Sequence, residues 1–458
     1  MHSSAVATLS MQAFRLADSS RAINMTERFM CSGRAGCGPQ SSGIAPGMAK
    51  GWARFRGHLL RDNNLCDLQL IIPFHMLLTS WLERLGRLQV TQPLSEPVPA
   101  NDEAFTAHTG LRKLGRRQLR RSLYLHFSGQ KKSLHASINP SWRRGLWLYR
   151  GVPQIGDALM DLAPRSLLKA KGIAMDLCSE PHIAALFQGD PWFGKVFDSA
   201  AALKAQDYDF VIVQSYKSRS LRDKVSFLPA LPWISIHGFY TGPEFHRASF
   251  AARRLCDALS VEPDAGGFAA HARQKLAALP HVPDAPGAAR PVRIALALGG
   301  VDPLRTYTRW LELRVRLERR FPVEWTLLGS SNGTGAAKAF AAQASPVTAI
   351  HNLVGQTSLA RCREAMQSQD VLVACDGGLM HLGVTTDARL VALFTATVSP
   401  RWRLPFDLQA TALVSPGNAV DGVEPDEIDQ AVTRLLTARR ETKNCVAAPE
   451  ESIDEAAL

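Results

Sequence analysis

From Gly145 onward the chain alternates short apolar, β-rich runs with stretches of helical period, and no other feature restricts its fold as much. GLWLYR at Gly145 to Arg150, IAMDL at Ile173 to Leu177, FVIVQ at Phe210 to Gln214 and PWISIH at Pro232 to His237 read as strands. A helix carrying Leu159, Leu162, Leu167 and Leu168 follows the first of them. Strands alternating with helices predict the α/β class, a parallel sheet with helices on its faces. At His281 to Pro291 (HVPDAPGAARP) the composition turns to Pro, Ala and Gly, as an interdomain linker does, and the alternation then starts afresh. Further strands are predicted at Arg293 to Leu298, Glu324 to Leu328, Val347 to Val354, Val371 to Cys375 and Arg389 to Phe394. Helices are predicted at Trp310 to Arg320, Ala336 to Gln343, Leu359 to Gln367, Gly378 to Val384 and Asp426 to Arg440. Strands this apolar on both faces belong inside a covered parallel sheet. The expectation is two Rossmann-like domains, 145–285 and 292–441, with the last helix free to cross back to the first. They should face a cleft where strand carboxyl ends present loops and helix N-termini to a ligand.

The charge is distributed unevenly. The net +12 of this 458-residue chain comes entirely from residues 1 to 150, which hold 21 Lys and Arg against 8 Asp and Glu, while the remainder holds 32 against 33. A neutral body with a basic leader is expected, residues 1–144 forming an extension that is irregular at Met1 to Gly51, and residues 442–458 an acidic tail. Apolar and charged fractions of 46% and 21% exclude collagen, a coiled coil and wholesale disorder. The run Leu68 to Leu82 is interrupted by Gln69, Pro73 and His75 and falls short of the ~20 residues that span a bilayer. Within the leader, Leu111 to Arg121 (LRKLGRRQLRR) reads as a basic amphipathic helix. It suits either a solvated face or an anionic membrane, and without interleaved aromatics it gives no sign of a nucleic-acid partner. The eight cysteines lack CxxC or His-paired spacing, so neither structural zinc nor a disulfide scaffold is expected, and a reducing cytoplasm suits them, with peripheral contact at the inner face of the cytoplasmic membrane open.

Three loops follow a strand and open a helix. In GVPQIGDAL, Gly151 and Gly156 allow a tight turn, and Asp157 at the helix start is either a cap or a carboxylate able to take a proton from an acceptor hydroxyl. In CDGGLMHL, Cys375 to Leu382, two glycines and a new helix N-terminus suit a diphosphate, and His381 is either a core histidine or part of that site. In GGVDPLRTYTRW, Gly299 to Trp310, Arg305 and Arg309 are either solvated or placed to neutralise leaving-group charge. The tripeptide Asp207-Tyr208-Asp209 imitates a metal-binding DxD, but at a strand entrance it reads as turn and edge residues.

The order NLVGQTSL at Asn352 to Leu359, then VLVACDGGLMHL, then RLVALF resembles family 9 glycosyltransferases, the lipopolysaccharide heptosyltransferases, and YRGVPQIGDALMDL resembles the family's N-terminal strand and GD loop. The likeness runs from about Gly145 to about Arg440. It implies a GT-B-type fold and an inverting, metal-independent transfer of a sugar, heptose from ADP-heptose, onto a lipopolysaccharide-core or related glycan acceptor. No cofactor beyond that nucleotide-sugar donor is implied. Carried over by position, the resemblance makes Asp157 the general base and Arg305 the basic group at the donor phosphates, where the family commonly has lysine. It puts Asp376 at sugar hydroxyls, and Gly377, Gly378 and His381 along the diphosphate, with Arg309 beside them and Gly151 and Gly156 in the acceptor-side loop. Gly377 departs from the family's Ser or Thr, and Thr395 stands where a glycine is usual. A nucleotide-sugar enzyme of another class, such as an epimerase, and a non-catalytic anion- or membrane-binding adaptor are the alternatives.

Overall fold

The structure, a computed structural model, describes residues 77–88, 109–240, 246–262, 267–280, 290–343, 348–405, 408 and 410–446. Met1 to Gly51, nearly all of the predicted linker and the tail beyond residue 446 lie outside these. The described chain divides into two compact units between Lys132 and Ser133.

The first unit holds helix α1 (77–88) and helix α2 (Leu111–Phe127), which continues the predicted basic helix by more than a turn. Leu82, Leu114 and Leu125 are buried.

The second unit contains two parallel sheets. The first comprises β1 (Arg144–Tyr149), β2 (Ala174–Ser179), β3 (Val196–Phe197), β4 (Phe210–Val213) and β5 (Trp233–Ser235), in the order β3-β2-β1-β4-β5. Its central strands are buried on both faces, every residue of β1 after Arg144 and all of β4, as the doubly apolar runs require. Polar atoms there are paired: Trp147 Nε1 donates to Gln214 Oε1 at 3.0 Å. The acidic tripeptide is used at the strand entrances. Asp209 accepts the backbone N–H groups of Arg143 at 2.7 Å and Arg144 at 2.9 Å, which hold its carboxyl below the ordinary range, and Tyr208 donates to Asp176 at 2.9 Å.

The second sheet comprises β6 (Val292–Ala297), β7 (Val323–Leu328), β8 (Ile350–Asn352), β9 (Val371–Cys375), β10 (Arg389–Phe394) and β11 (Ala410–Val414), in the order β11-β10-β9-β6-β7-β8. Both orders are doubly wound, with the chain reversing direction across the sheet between β1 and β4 and between β6 and β9. Those are the two places where such sheets open a crevice for ligands. One apolar cluster spans the two sheets and includes Leu159 and Leu162 of the first half with Leu372, Met380 and Leu382 of the second. The last helix, predicted as free to cross back, is longer than expected (Pro425–Val446). Its Ile428, Ala431, Val432 and Leu436 pack with Trp310, Leu313 and Leu317 against the second sheet. Four apolar residues at helical spacing are committed to that core, so this part of the helix stays with the C-terminal sheet.

At the start of the second unit an isolated bridge pairs Leu134 with Trp233 of β5, and Ser133 takes part in it. The Ser133 carbonyl accepts from Trp233 N at 2.9 Å, and His135 N donates to Trp233 O at 2.8 Å. A chain beginning at Ser133 keeps both bonds and is expected to be soluble, with its main calorimetric transition near the full-length midpoint. Aggregation of that shortened chain would mean that the leader covers apolar surface of the body.

Candidate functional site

At the reversal between β6 and β9 lies a cavity of about 530 Å³, within the range of small-molecule sites. The segment after β6, Ala297 to Asp302, and the segment after β9, Cys375 to Leu379, form its walls with Arg305. Gln154 and Ile155, at the start of the helix after β1 (α3, Ile155–Asp161), close it from the first sheet. Gly299 has φ +80°, and a Cβ there would lie 2.8 Å from Asn332 Oδ1 and from the Gly333 backbone. Only glycine lets the end of β6 run this close to the loop after β7.

Arg305 ends a single 3₁₀ turn, Pro303–Arg305, which Asp302 starts by accepting the N–H of Leu304 at 3.0 Å. Its guanidinium is shared between two carboxylates, Asp376 Oδ2 at 3.2 Å and Asp302 Oδ2 at 3.8 Å. On the other side of Asp376, Arg403 Nε stands 3.5 Å from Oδ1. Asp376 is thus nearly buried between two guanidiniums at the cavity wall, an arrangement in which an arriving phosphate can compete for donors already in position. Gly377 is extended, and a Cβ there would meet only Cys375 O at 3.7 Å, so the hydroxyl residue usual in the resembled family would fit. The helix after these glycines (Gly378–Gly383) has six residues, too few for a large dipole; the attraction for anions rests on the arginines.

Two expected site residues are placed elsewhere. His381 is 3% exposed and is not on the cavity wall. Burial, helped by the charge of Arg403, pushes its imidazole down to about 3, so it is neutral. Its Nδ1 lies 2.9 Å from Gln274 Oε1, while Gln274 Nε2 donates to the Arg403 carbonyl at 2.8 Å; an acceptor at Oε1 makes Nδ1 the protonated nitrogen. The His381 ring also explains Gly156, which is helical and not a turn residue: a Cβ there would lie 2.3 Å from His381 Cδ2. His381, Gly156 and Gln274 therefore form the joint between the two halves. Arg309 is the second. It is bound at 2.9 Å to both Glu312 and Glu424, which hold it at the outer end of its helix.

Gly151 does turn the chain, with φ +76° and its N–H on Glu180 at 3.0 Å. Asp157 is not a cap. The cap position of α3 is Gln154, and Asp157, about one-third exposed in the first turn, lies 3.6 Å from Arg247 Nε. Arg247 comes from the helix Arg247–Leu259 and grips buried Asp161, with Nε at 3.0 Å from Oδ1; Tyr149 donates to Asp161 at 3.0 Å, and His237 Nε2 is 3.5 Å away. Burial pushes the Asp161 carboxyl up and the Arg247 guanidinium pulls it back, while burial pushes His237 down into its neutral form. Sequence reasoning missed this network, together with Arg403 and Gln274. Each draws residues from separate segments without local spacing. Thr395 is buried with its hydroxyl 2.8 Å from that of Thr397.

Residues 306–428 match the model of glycosyltransferase family 9 (heptosyltransferase). A family 9 glycosyltransferase from Veillonella parvula shares the fold, with a TM-score of 0.51 at 13% identity over 66% of this chain and 100% of that one. ADP-heptose lipopolysaccharide heptosyltransferase II of E. coli aligns with a TM-score of 0.49 at 17% identity over 65% and 99%. The iron-containing dodecameric glycosyltransferase TibC of enterotoxigenic E. coli aligns with a TM-score of 0.37 at 12% identity over 59% and 62%. No curated protein matches the chain. The class is that of a glycosyltransferase with two doubly wound parallel sheets. Its C-terminal half carries a family 9, heptosyltransferase-like domain.

Proposed function

We propose that this chain is an inverting, metal-independent glycosyltransferase that moves a heptose from ADP-heptose to a hydroxyl of a lipopolysaccharide-core or related glycan. The observation that carries this reading is the cavity itself: Arg305 and Asp376 on one wall, with Arg403 behind Asp376, and on the other wall Gln154 and Ile155, which begin the helix that carries Asp157 just outside the lining. The Asp157 carboxylate takes the acceptor hydroxyl proton as that oxygen attacks the anomeric carbon. The bond from that carbon to the diphosphate breaks, ADP leaves with the electron pair, and the configuration inverts. Arg305 meets the charge that grows on the departing diphosphate. Arg403 and Asp376 keep Arg305 aimed, and Gly377 and Gly378 leave the backbone open to the donor.

A mass-spectrometric screen of ADP-, GDP- and UDP-sugars, with and without a core-glycan acceptor, tests this reading. Acceptor-dependent consumption of ADP-heptose is expected; isomerisation of a donor without acceptor would identify an epimerase, and no turnover with any donor an adaptor. The guanidiniums supply the positive charge that a divalent ion supplies elsewhere, so EDTA is expected to change the rate less than twofold. Strict dependence on a divalent ion would assign that task to a metal, and TibC, described as iron-containing, is the relative that makes the measurement necessary.

A further inference from the structure

The two helices of the leader are pressed backbone to backbone. A Cβ on Gly86 would fall 2.1 Å from Leu111 O, and one on Gly115 would fall 1.9 Å from Leu82 O, so glycine at both positions sets the crossing. This contact uses the Leu82 and Gly86 side of α1. The opposite side carries Leu77, Trp81 and Leu88 at helical spacing, with 70%, 43% and 59% of their surfaces exposed, and Leu78 beside them. The outward stripe of α2 begins with exposed Arg112 and Arg116 and ends with exposed Leu123 and Phe127. The described residues of this unit hold ten Lys and Arg against one acid, Glu83, which is paired with Arg112 at 2.9 Å.

We propose that the α1–α2 hairpin is a peripheral anchor for an anionic lipid bilayer, with Leu77, Trp81 and Leu88 entering the headgroup boundary, exposed Arg84 between them on acidic headgroups, and the other basic side chains of the unit drawing the hairpin to the anionic surface. The two requirements of such a surface are both present: apolar side chains with an indole on one face of α1, with Arg84 among them, and an excess of cationic charge over the described residues of the unit. The cations also crowd one another. Burial and the neighbouring charges of Arg117 and Arg120 push the Arg121 guanidinium down to about 10, a repulsion that headgroup anions relieve. A nucleic acid would answer the charge but would leave the leucine stripe in water. The inference does not depend on the glycosyl-transfer reading, since the hairpin lies outside the matched residues 306–428.

The test is co-sedimentation of the full chain with vesicles of phosphatidylcholine containing phosphatidylglycerol, and with pure phosphatidylcholine. Binding to the anionic vesicles is expected to exceed binding to the neutral ones by at least about tenfold and to weaken with added salt. The paired variants Leu77→Ser with Trp81→Ser, and Lys113→Glu with Arg116→Glu, are each expected to lose about tenfold in vesicle binding with an unchanged unfolding midpoint. Trp81→Phe, which disturbs the helix least, should keep the binding and remove most of the fluorescence quenching by brominated lipid. Equal binding to neutral vesicles, unaltered binding of both paired variants, quenching that persists without Trp81, or preferential binding to a short RNA over anionic vesicles would overturn the proposal.

Discussion

Replacement of Asp157 by alanine is expected to lower turnover by ~10²- to 10⁴-fold, the usual cost of losing a general base, with the donor dissociation constant changed less than about threefold. The two effects separate because, in the proposed reaction, the carboxylate serves the acceptor. It belongs to the helix after β1, whereas the arginines that would grip a diphosphate belong to the second sheet's loops. Stability should change little. Gln154 occupies the cap position, so Asp157→Ala removes a favourable first-turn charge and one 3.6 Å ion pair, together about 1 kcal/mol or less. Asp157→Asn, which keeps the shape and loses the basicity, should be as inactive as the alanine variant. Turnover, isothermal titration with ADP and thermal unfolding on the same preparations decide the matter. An alanine variant with full turnover would leave Asp157 as a helix-terminus charge.

Most of the strands legible in the sequence are buried on both faces, although β8, predicted over 347–354, is a three-residue edge strand without a buried residue. β1, β4, β6, β9 and β10 stand out because water touches almost none of their side chains, so they read as unbroken apolar runs. β3, with two half-buried residues, and β11, whose side chains alternate between half-buried and exposed, lie at sheet edges where no such run is needed, and neither was foreseen. The same contrast holds at the site. Asp157, Arg305 and Asp376 occur in short motifs after strands, where a fold of this class collects its ligand-binding residues, and the structure brings Arg305 and Asp376 together across 71 positions of sequence. Gln274 meets His381 and the Arg403 carbonyl only through the joint between the two halves, Arg403 meets Asp376 across 27 residues and Arg247 meets Asp161 across 86, so no local spacing announces them. His381 and Gly156 belong to recognisable motifs, yet the structure uses them for packing. A motif identifies positions that are restricted, and geometry is needed to tell a ligand contact from a close approach.

Arg305→Ala is expected to reduce kcat/KM by ~10²- to 10³-fold, the scale of removing a charge or donor that meets developing negative charge in a water-poor site. Both parameters should move. The ground-state diphosphate is already anionic, so donor affinity falls; the oxygen that leaves gains further charge as the anomeric bond breaks, so kcat falls as well. The geometry makes the loss specific, because among the described residues Arg305 joins Asp302 to Asp376 at the cavity wall, whereas Arg403 stands 3.5 Å from the other oxygen of Asp376 and does not line the cavity. Arg305→Lys separates charge from shape. A lysine, the residue common at this position in the resembled family, keeps a point charge and gives up the planar fork, so it should recover most of kcat while donor affinity recovers less. Steady-state kinetics of the wild type, Ala and Lys variants with ADP-heptose provide the comparison. If alanine raises KM and leaves kcat intact, Arg305 binds ground state and transition state alike and the leaving-group role fails; if lysine is as poor as alanine, the fork that holds Asp302 and Asp376 matters more than the charge.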